Sequence, residues 1–279
     1  MAKIKNKIII LGKHGFIAKR LCKELKKNKI NFISFSKEKL NLEKKKSIKV
    51  LNKIVSAEDK IVFISAIAPV KNTDMLLRNI KILNNVSEAL KGKLFNQLIY
   101  ISSDAVFKDD AKIINEKTEK IPSSLHGNMH LLRENVLQNY FGSRLCILRP
   151  TLIYGAEDPH NGYGPNKFLR LVKINKNIEL FGKGEEMRDH ININDVVNVI
   201  KFCLLKNYIG NINVASGNLI SFYNIAKVCI EKNKKCKINF LPRSGPMPHN
   251  GYRKFNIKKL KTLINISKFT NLKEYIKHY

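Results

Sequence analysis

From Lys7 to Leu148 the chain alternates short apolar runs with longer helical stretches, and the first run empties into a glycine turn. Lys7–Leu11, Asn31–Ser36, Lys60–Ala66, Asn96–Ser102 and Arg144–Leu148 read as strands. Gly15–Lys27, Met75–Leu90 and Met129–Asn139 read as helices between them. Strands that are apolar throughout, separated by helices, predict βαβ units and a parallel sheet covered on both faces. After Pro150 the pattern becomes irregular. Gly155–Asn166, rich in Gly, Pro, Asn and His, reads as a long functional loop. Asn166–Lys176, Val196–Lys206 and Ser221–Lys232 read as helices, Gly210–Val214 as a late strand returning to the sheet, and the tail from Leu241 as a Pro/Gly-rich loop with a basic helix near Ile257–Leu263.

The turn after the first strand is Gly12-Lys13-His14-Gly15-Phe16-Ile17-Ala18, a G-x-x-G-x-x-A pattern. Gly12 permits the sharp turn, Gly15 lets the backbone approach a pyrophosphate, and the small Ala18 lets the helix pack close to the strand. The helix N-terminus then offers free N–H groups and the positive end of its dipole to phosphates. At the end of the second strand, where an acidic residue would hold a ribose diol, the chain reads Phe35-Ser36-Lys37. A hydroxyl followed by a cation suits a 2′-phosphate, which leans the reading towards NADP; Glu38, one step on, leaves NAD open. The expected fold is therefore α/β, a Rossmann-type doubly wound parallel sheet with a smaller C-terminal substrate-binding lobe. The expected division is 1–155 plus about 190–217 for the dinucleotide domain, and 156–189 plus 218–279 for the lobe.

Composition narrows the remaining classes. The chain has 279 residues and 44% apolar content, enough for a sizeable core. The net charge of +30 invites a nucleic-acid reading, but the excess is spread along the chain. Residues 1–60 carry 17 Lys and one Arg against 5 acids, and residues 231–279 carry 11 Lys and two Arg against 2. Only nine of the 52 basic residues are Arg, the usual reader of base edges, so solvated lysine faces are favoured over nucleic acid. Apolar runs such as Ile61–Val70 are too short to span a bilayer, and no secretion signal is visible. The five cysteines (Cys22, Cys146, Cys203, Cys229, Cys236) form no CxxC pair. A disulfide framework and a structural zinc site are not expected, and a reducing cytoplasm is the default location.

Several segments, in order along nearly the whole chain, resemble the extended short-chain dehydrogenase/reductase family, the nucleotide-sugar epimerases, dehydratases and 4-keto reductases. They are the glycine loop, Asn41-Leu42, the small-residue loop Ser65-Ala66-Ile67-Ala68 and the segment opened by Asn79. Tyr100-Ile101-Ser102-Ser103-Asp104-Ala105-Val106-Phe107, with Asp and Phe similar to dTDP-4-dehydrorhamnose reductases, Arg149-Pro150-Thr151-Leu152-Ile153-Tyr154-Gly155 and Arg188-Asp189-His190-Ile191-Asn192-Ile193-Asn194-Asp195 complete the set. The resemblance implies a dinucleotide site at Gly12, His14, Gly15, Phe16, Ile17, Ala18, Ser36, Lys37, Asn41, Leu42, Ala66, Ile67, Ala68, Asn79, Ser102, His130 and Pro150. It implies that Arg188 contacts substrate phosphates, beside Ser103, Asp104, His160, Tyr163 and Asn166. It also implies hydride transfer between a sugar carbon and the nicotinamide ring.

The family's Tyr-x-x-x-Lys pair is replaced. Position matching puts His126 where the Tyr belongs and His130 where the Lys belongs. At i and i+4 the two share a helical face. Imidazole titrates near neutrality, so His126 can exchange a proton in place of the Tyr, with Ser103 and Asp104 completing the catalytic set and His130 bonding the nicotinamide ribose. Tyr163/Lys167 and Tyr223/Lys227 share the Tyr-x-x-x-Lys spacing but lie beyond the strand that ends at Arg149-Pro150, so they are read as decoys. Two His at helical spacing also suit zinc, but the Glu of H-E-x-x-H is absent and only His160 or His190 might supply a third ligand; no metal is expected.

The expected function is NAD(P)-dependent epimerisation or 4-keto reduction of a nucleotide sugar in the cytoplasm; the resemblance alone implies a place in surface polysaccharide synthesis and a homodimer, since Met75–Leu90 and Met129–Asn139 match the helices that pair in family dimers. Two alternatives stay open: a catalytically degenerate regulator that binds dinucleotide or nucleotide sugar, and a nucleic-acid binder driven by charge.

Overall fold

The computed structural model describes residues 6–279. In chain order the strands and helices are β1 (Ile8–Leu11), α1 (Phe16–Lys27), β2 (Phe32–Phe35), α2 (Lys46–Ile54), β3 (Lys60–Phe63), α3 (Thr73–Leu90), β4 (Gln97–Ile101), β5 (Ile113–Ile114), α4 (Leu125–Phe141), β6 (Leu145–Pro150), β7 (Leu152–Tyr154), α5 (Pro165–Lys173), β8 (Ile178–Phe181), β9 (Met187–Asn192), α6 (Ile193–Lys206), β10 (Gly210–Val214), β11 (Leu219–Ser221), α7 (Phe222–Ile230), β12 (Ile238–Leu241), β13 (Tyr252–Phe255), α8 (Lys258–Leu263) and α9 (Leu272–His278). The chain divides into two compact units. The first holds residues up to Lys108, Glu119–Arg149 and Val197–Ile212; the second holds Asp109–Thr118, Pro150–Val196 and Asn213–Tyr279.

The first unit is built on a sheet of order β10-β6-β4-β3-β1-β2, with β2, β1, β3, β4 and β6 parallel in successive pairs. The parallel doubly wound architecture expected from the alternation is present. Every residue of Ile8–Leu11 and Gln97–Ile101 is buried, which is why these strands read as continuous rather than alternating apolar runs. The chain passes from β1 to β2 on one side and then returns to β3 on the other, so the strand order reverses at β1. The loop after β1 therefore lies at the topological switch point, where open α/β sheets leave a crevice.

Polar residues fix the ends of this sheet. The Lys7 ammonium lies 2.6 Å from Asp59, whose carboxylate also accepts from the Ser56 and Lys7 N–H groups. Gln97 Nε2 donates to the carbonyls of Cys203 and Tyr208 at 3.1 and 2.8 Å. These bonds satisfy the buried Asp59 carboxylate and the Gln97 amide nitrogen at the strand ends.

The second unit has its own core of Phe168, Leu169, Ile178, Leu180, Phe222 and Ile225 among others. Its strands β11-β9-β13-β5 form a mixed sheet with β7 added to β9, and β12 pairs with β8. After Pro150 the expected helices and the late strand Gly210–Val214 are present as α5, α6, α7, α8 and β10, but the structure adds strands that the sequence reading lacked. The Arg188 motif itself is a buried strand, and the tail adds β13 and α9 to its single expected helix. Among the described residues no helix is long and apolar enough to cross a membrane, and all five cysteines are free thiols.

Helix α4 starts four residues earlier than its apolar pattern suggested, at Leu125, capped by Ser124 Oγ accepting from Gly127 N. Gly127 faces Ala105: an added Cβ would stand 2.1 Å from the Ala105 carbonyl oxygen. Gly127→Ala is expected to destabilise the first unit by about 1–3 kcal/mol, because backbone, not a movable side chain, blocks the methyl. A denaturation midpoint unchanged from wild type would contradict this close approach.

Candidate active site

The glycine turn is closed from outside as well as by its own backbone. Gly12 has φ +111°, and an added Cβ would lie 2.9 Å from Ser65 Oγ and 3.0 Å from Ser65 N. Both facts demand glycine there. Gly12 N and Lys13 N both donate to the Phe35 carbonyl, which ties the turn to β2. Helix α1 begins at Phe16 behind Gly15, with no side-chain cap and no acid in its first turn. The amides of Phe16, Ile17 and Ala18 are thus first-turn donors at the positive end of the helix dipole. Gly15 has ordinary φ −65°, and an added Cβ would meet only the Gly12 carbonyl oxygen, at 3.4 Å, so any need for glycine there comes from what approaches the turn from the cavity. Ala18 is fully buried.

A cavity of about 280 Å³ opens over this turn, lined by 12–15, 35–38, 40–43 and 64–67. Ser36 and Lys37 line it, with Glu38 beside them. The Lys37 ammonium is held by Glu43 at 2.7 Å, and Arg78 grips the same carboxylate at 2.9 Å. Arg78 first, then Lys37, hold the Glu43 carboxyl down at about 2, so it stays ionised. His14 Nε2 lies 3.6 Å from Glu38, both exposed. Asn41 Oδ1 accepts from Glu43 N and the Leu42 carbonyl accepts from Asn85, so this wall is fastened to α3.

The other wall, Ile64 to Ile67, with the expected Ala68 just outside the lining, is fastened by two fully buried side chains. Asn79 donates to the Ile67 carbonyl at 2.9 Å and accepts from Ile67 N at 3.0 Å. Arg133 donates to Ser65 O at 2.8 Å and to Asn79 O and Oδ1, both at 2.9 Å. The Asn79 amide is thereby taken up by protein atoms, and what it presents to the cavity is the Ile67 segment. Arg133 is 1% exposed, and among the described residues no carboxylate pairs with it. Its guanidinium lies over the Phe63 ring, 5.1 Å from the centroid.

Arg133 belongs to α4, whose inward face is polar. His130, Arg133 and Glu134 are all buried there. Glu134 accepts from Ser102 Oγ at 2.6 Å and from Arg149 at 2.8 and 2.7 Å, a two-pronged pair sealed from solvent. Ser102 is therefore spent on Glu134, and Pro150, next to Arg149, closes β6. The half-buried Ser103 caps the turn 104–106 by accepting from Ala105 N at 3.2 Å, with Asp104 Oδ1 3.5 Å away.

The two histidines meet edge to face, ring centroids 4.7 Å apart. His130 Nδ1 lies 2.7 Å from the Tyr100 hydroxyl, which is wholly buried. Burial pushes the His126 imidazole below its ordinary value; Asp104 opposes that push and Arg133 adds to it. Burial pushes His130 further down, helped by His126 and Arg133. Both rings are neutral at pH 7. Arg133 and Tyr100 are the residues that motif spacing did not single out.

In the second unit the structure separates the candidates. Asn166 bonds Asp158 at 2.8 Å and the Gly155 N–H at 3.0 Å, and Arg170 adds a bond to the Asp158 carbonyl. Asn166 thus ties the 155–166 loop together, while His160 stands exposed on it. Tyr163 packs against Phe168, Phe181 and Phe222. Arg188 lies 3.2 Å from Glu186, and Arg243 joins the same carboxylate at 3.9 Å with its Nε unbonded. His190 is buried against Phe222, neither ring nitrogen meeting a side-chain partner among the described residues, and burial, helped by the Arg188 charge, takes it down to about 3. Among the described residues no group of three or more His, Cys, Asp or Glu side chains is placed to hold a metal ion.

The model of the NAD dependent epimerase/dehydratase family matches residues 8–215. The chain belongs to that family. It is 25% identical to an uncharacterized UDP-glucose epimerase of Bacillus subtilis, over 96% of this chain and 95% of that one. Among solved structures it resembles UDP-glucuronic acid 4-epimerase of Bacillus cereus, solved with UDP-glucuronic acid and NAD, at TM-score 0.80 and 23% identity, covering 97% and 96% of the two chains. A dTDP-4-dehydrorhamnose reductase of Yersinia enterocolitica is similar at TM-score 0.80 and 21% identity, covering 99% and 98%. These likenesses in structure show the shared fold.

The neutral buried histidines carry a pH signature. Their folded values lie below the unfolded value of about 6.5, so the stability they allow is complete above that pH and is lost as pH falls through it. Proton uptake on unfolding gives a slope of about 1.4 kcal/mol per pH unit per proton. His130→Asn is expected to flatten the fall in unfolding free energy between pH 7 and 5 by up to one proton. An unchanged slope in denaturant titrations would show that His130 is not a buried neutral ring. Glu134→Ala, which strands the buried Arg149, is expected to cost about 3–5 kcal/mol in the same assay.

Proposed function

We propose that this protein binds a nicotinamide dinucleotide over the Gly12 turn and uses it to epimerise or reduce a nucleotide sugar. The observation that carries the reading is the Gly12–Ser65 approach. It leaves no room for a Cβ and sets the uncapped N-terminus of α1 against a cavity at the switch point. That cradle fits a pyrophosphate. Residues 1–155 with about 190–217 would hold the dinucleotide, and the remainder the sugar nucleotide. The family to which the chain belongs, and relatives named for UDP-glucose and UDP-glucuronic acid epimerases, support the substrate class.

When bound, the nicotinamide would supply hydride exchange with the sugar carbon. The chain's own residues do the rest. His126, neutral and acted on by the Asp104 charge, takes or returns the sugar hydroxyl proton. Ser103 bonds the same oxygen. Arg243, which shares the Glu186 carboxylate with Arg188, keeps an Nε with no bond among the described residues and could meet a diphosphate there. Ser36 and Lys37 favour NADP, but the Glu43 clamp on Lys37 offsets part of that preference, while Glu38 can accept from a free ribose diol. A homodimer and a place in surface polysaccharide synthesis complete the reading.

A second reading, a binding protein without turnover, is favoured by one observation: His130 is a neutral buried ring where the family's lysine charge would stand. Three measurements decide. In calorimetric titration, NAD and NADP should bind within about tenfold of each other, and Lys37→Ala should remove any NADP advantage; a 1.4 kcal/mol gap corresponds to tenfold. Gly12→Ala should abolish binding of both. With a panel of UDP-, dTDP- and ADP-sugars, His126→Ala should lose at least about 100-fold in turnover while keeping dinucleotide affinity. Wild-type protein that binds dinucleotide and turns over none of the panel would move the binding-protein reading ahead. Failure to bind either dinucleotide would overturn both.

A further inference from the structure

The Tyr100–His130 contact admits two proton arrangements. Either the tyrosyl O–H donates to Nδ1, or an Nδ1–H donates to the tyrosyl oxygen, and at 2.7 Å the geometry permits each. The surroundings do not. Tyr100 is fully buried, and among the described residues the acceptor that its hydroxyl meets is His130 Nδ1, the other group on that oxygen being the Arg133 guanidinium. If His130 donated, the tyrosyl proton would need another acceptor. The charged group set beside that oxygen is Arg133, which offers only donors. Arg133 is also a positive charge with no carboxylate partner, its Nε still unbonded, so a proton on the ring nitrogen nearest Tyr100 would be disfavoured again.

We infer that Tyr100 is a positioning residue: it donates to His130 Nδ1, holds the His130 proton on Nε2, and makes that ring a fixed donor. This divides the work between the two histidines. A ring that accepts from Tyr100 at one nitrogen and carries hydrogen on the other can bond an acceptor such as a ribose or sugar hydroxyl oxygen, but it has no lone pair left to take a proton. His126, whose Nδ1 is met by the Val70 N–H only at a long 3.5 Å, is then the imidazole left to exchange a proton with substrate. The hydrogen-bond direction stands on the contacts around Tyr100; its consequence for turnover rests on the function proposed above.

Long-range ¹⁵N–¹H correlation on full-length, ¹⁵N-labelled protein at pH 7.5, without added ligand, reads the tautomer directly, with His130→Gln used to assign the ring. A pyridine-type Nδ1 and a pyrrole-type Nε2 at His130 are expected. A pyrrole-type Nδ1 in wild type would overturn the inference, whether or not any variant folds. In Tyr100→Phe, which keeps the ring and removes the donor, His130 should shift towards a mixture of tautomers while the His126 signals stay unchanged. Dinucleotide affinity should fall about three- to tenfold. A His130 spectrum identical to wild type in that variant would equally sink it. Wild-type protein showing the expected tautomer but binding no dinucleotide would leave the Tyr100 assignment standing and remove the functional reading instead.

Discussion

A buried guanidinium without a carboxylate holds the site together. Sealing a charge from water costs several kcal/mol unless its donors are filled. Arg133 places its two terminal nitrogens on the Ser65 carbonyl and on both oxygens of Asn79, leaving Nε without a bond among the described residues. Ser65 is also the residue against which Gly12 closes. One side chain on α4 thus fixes the loop after β3, and that loop fixes the turn after β1. Asn79 extends the constraint to Ile67, and Glu134 extends it to Ser102 and Arg149. The helix that carries the histidines is therefore docked by polar bonds whose geometry is directional, where apolar packing alone would let it slide.

The same cation shapes the chemistry. It stands near both imidazoles and the Tyr100 hydroxyl, and it works with burial to keep the rings uncharged. A neutral imidazole pair with one member's proton pinned differs from a phenol–ammonium pair in kind. The fixed positive charge on this face of α4 is that of Arg133, three residues beyond His130, with its terminal nitrogens on backbone and amide oxygens.

The first unit was legible because its strands are buried on both faces and its glycine turn sits at a strand–helix junction. Ile8–Leu11 cannot be confused with a surface strand. Helix α2 was not read, since Lys46–Ile54 buries only Ser47 and Leu51 and otherwise looks like solvated charge. Helix α4 was read late because its first turn, Leu125-His126-Gly127-Asn128, offers one apolar side chain, itself exposed, and a helix-weakening glycine. After Pro150 the strands are short, and β9 buries Arg188, Asp189 and His190, residues that spell a motif but not a strand. Arg133 itself left a trace. In a chain with nine Arg among 52 basic residues, an arginine is the exception, and Arg133, Arg149 and Arg253 are among its largest fully buried side chains. Where lysine is the default, a retained arginine marks a place that needs a planar, multi-donor cation.

Native mass spectrometry of the gently purified protein, with release and identification of whatever is bound, tests the central claim most directly. The account predicts one nicotinamide dinucleotide per chain, either retained from the cell or taken up on addition, and absent from protein carrying a side chain at Gly12. Retained NAD would mark a cycle that regenerates its cofactor, and uptake of added NADPH a reductase. Protein that holds no dinucleotide under either condition would contradict the account.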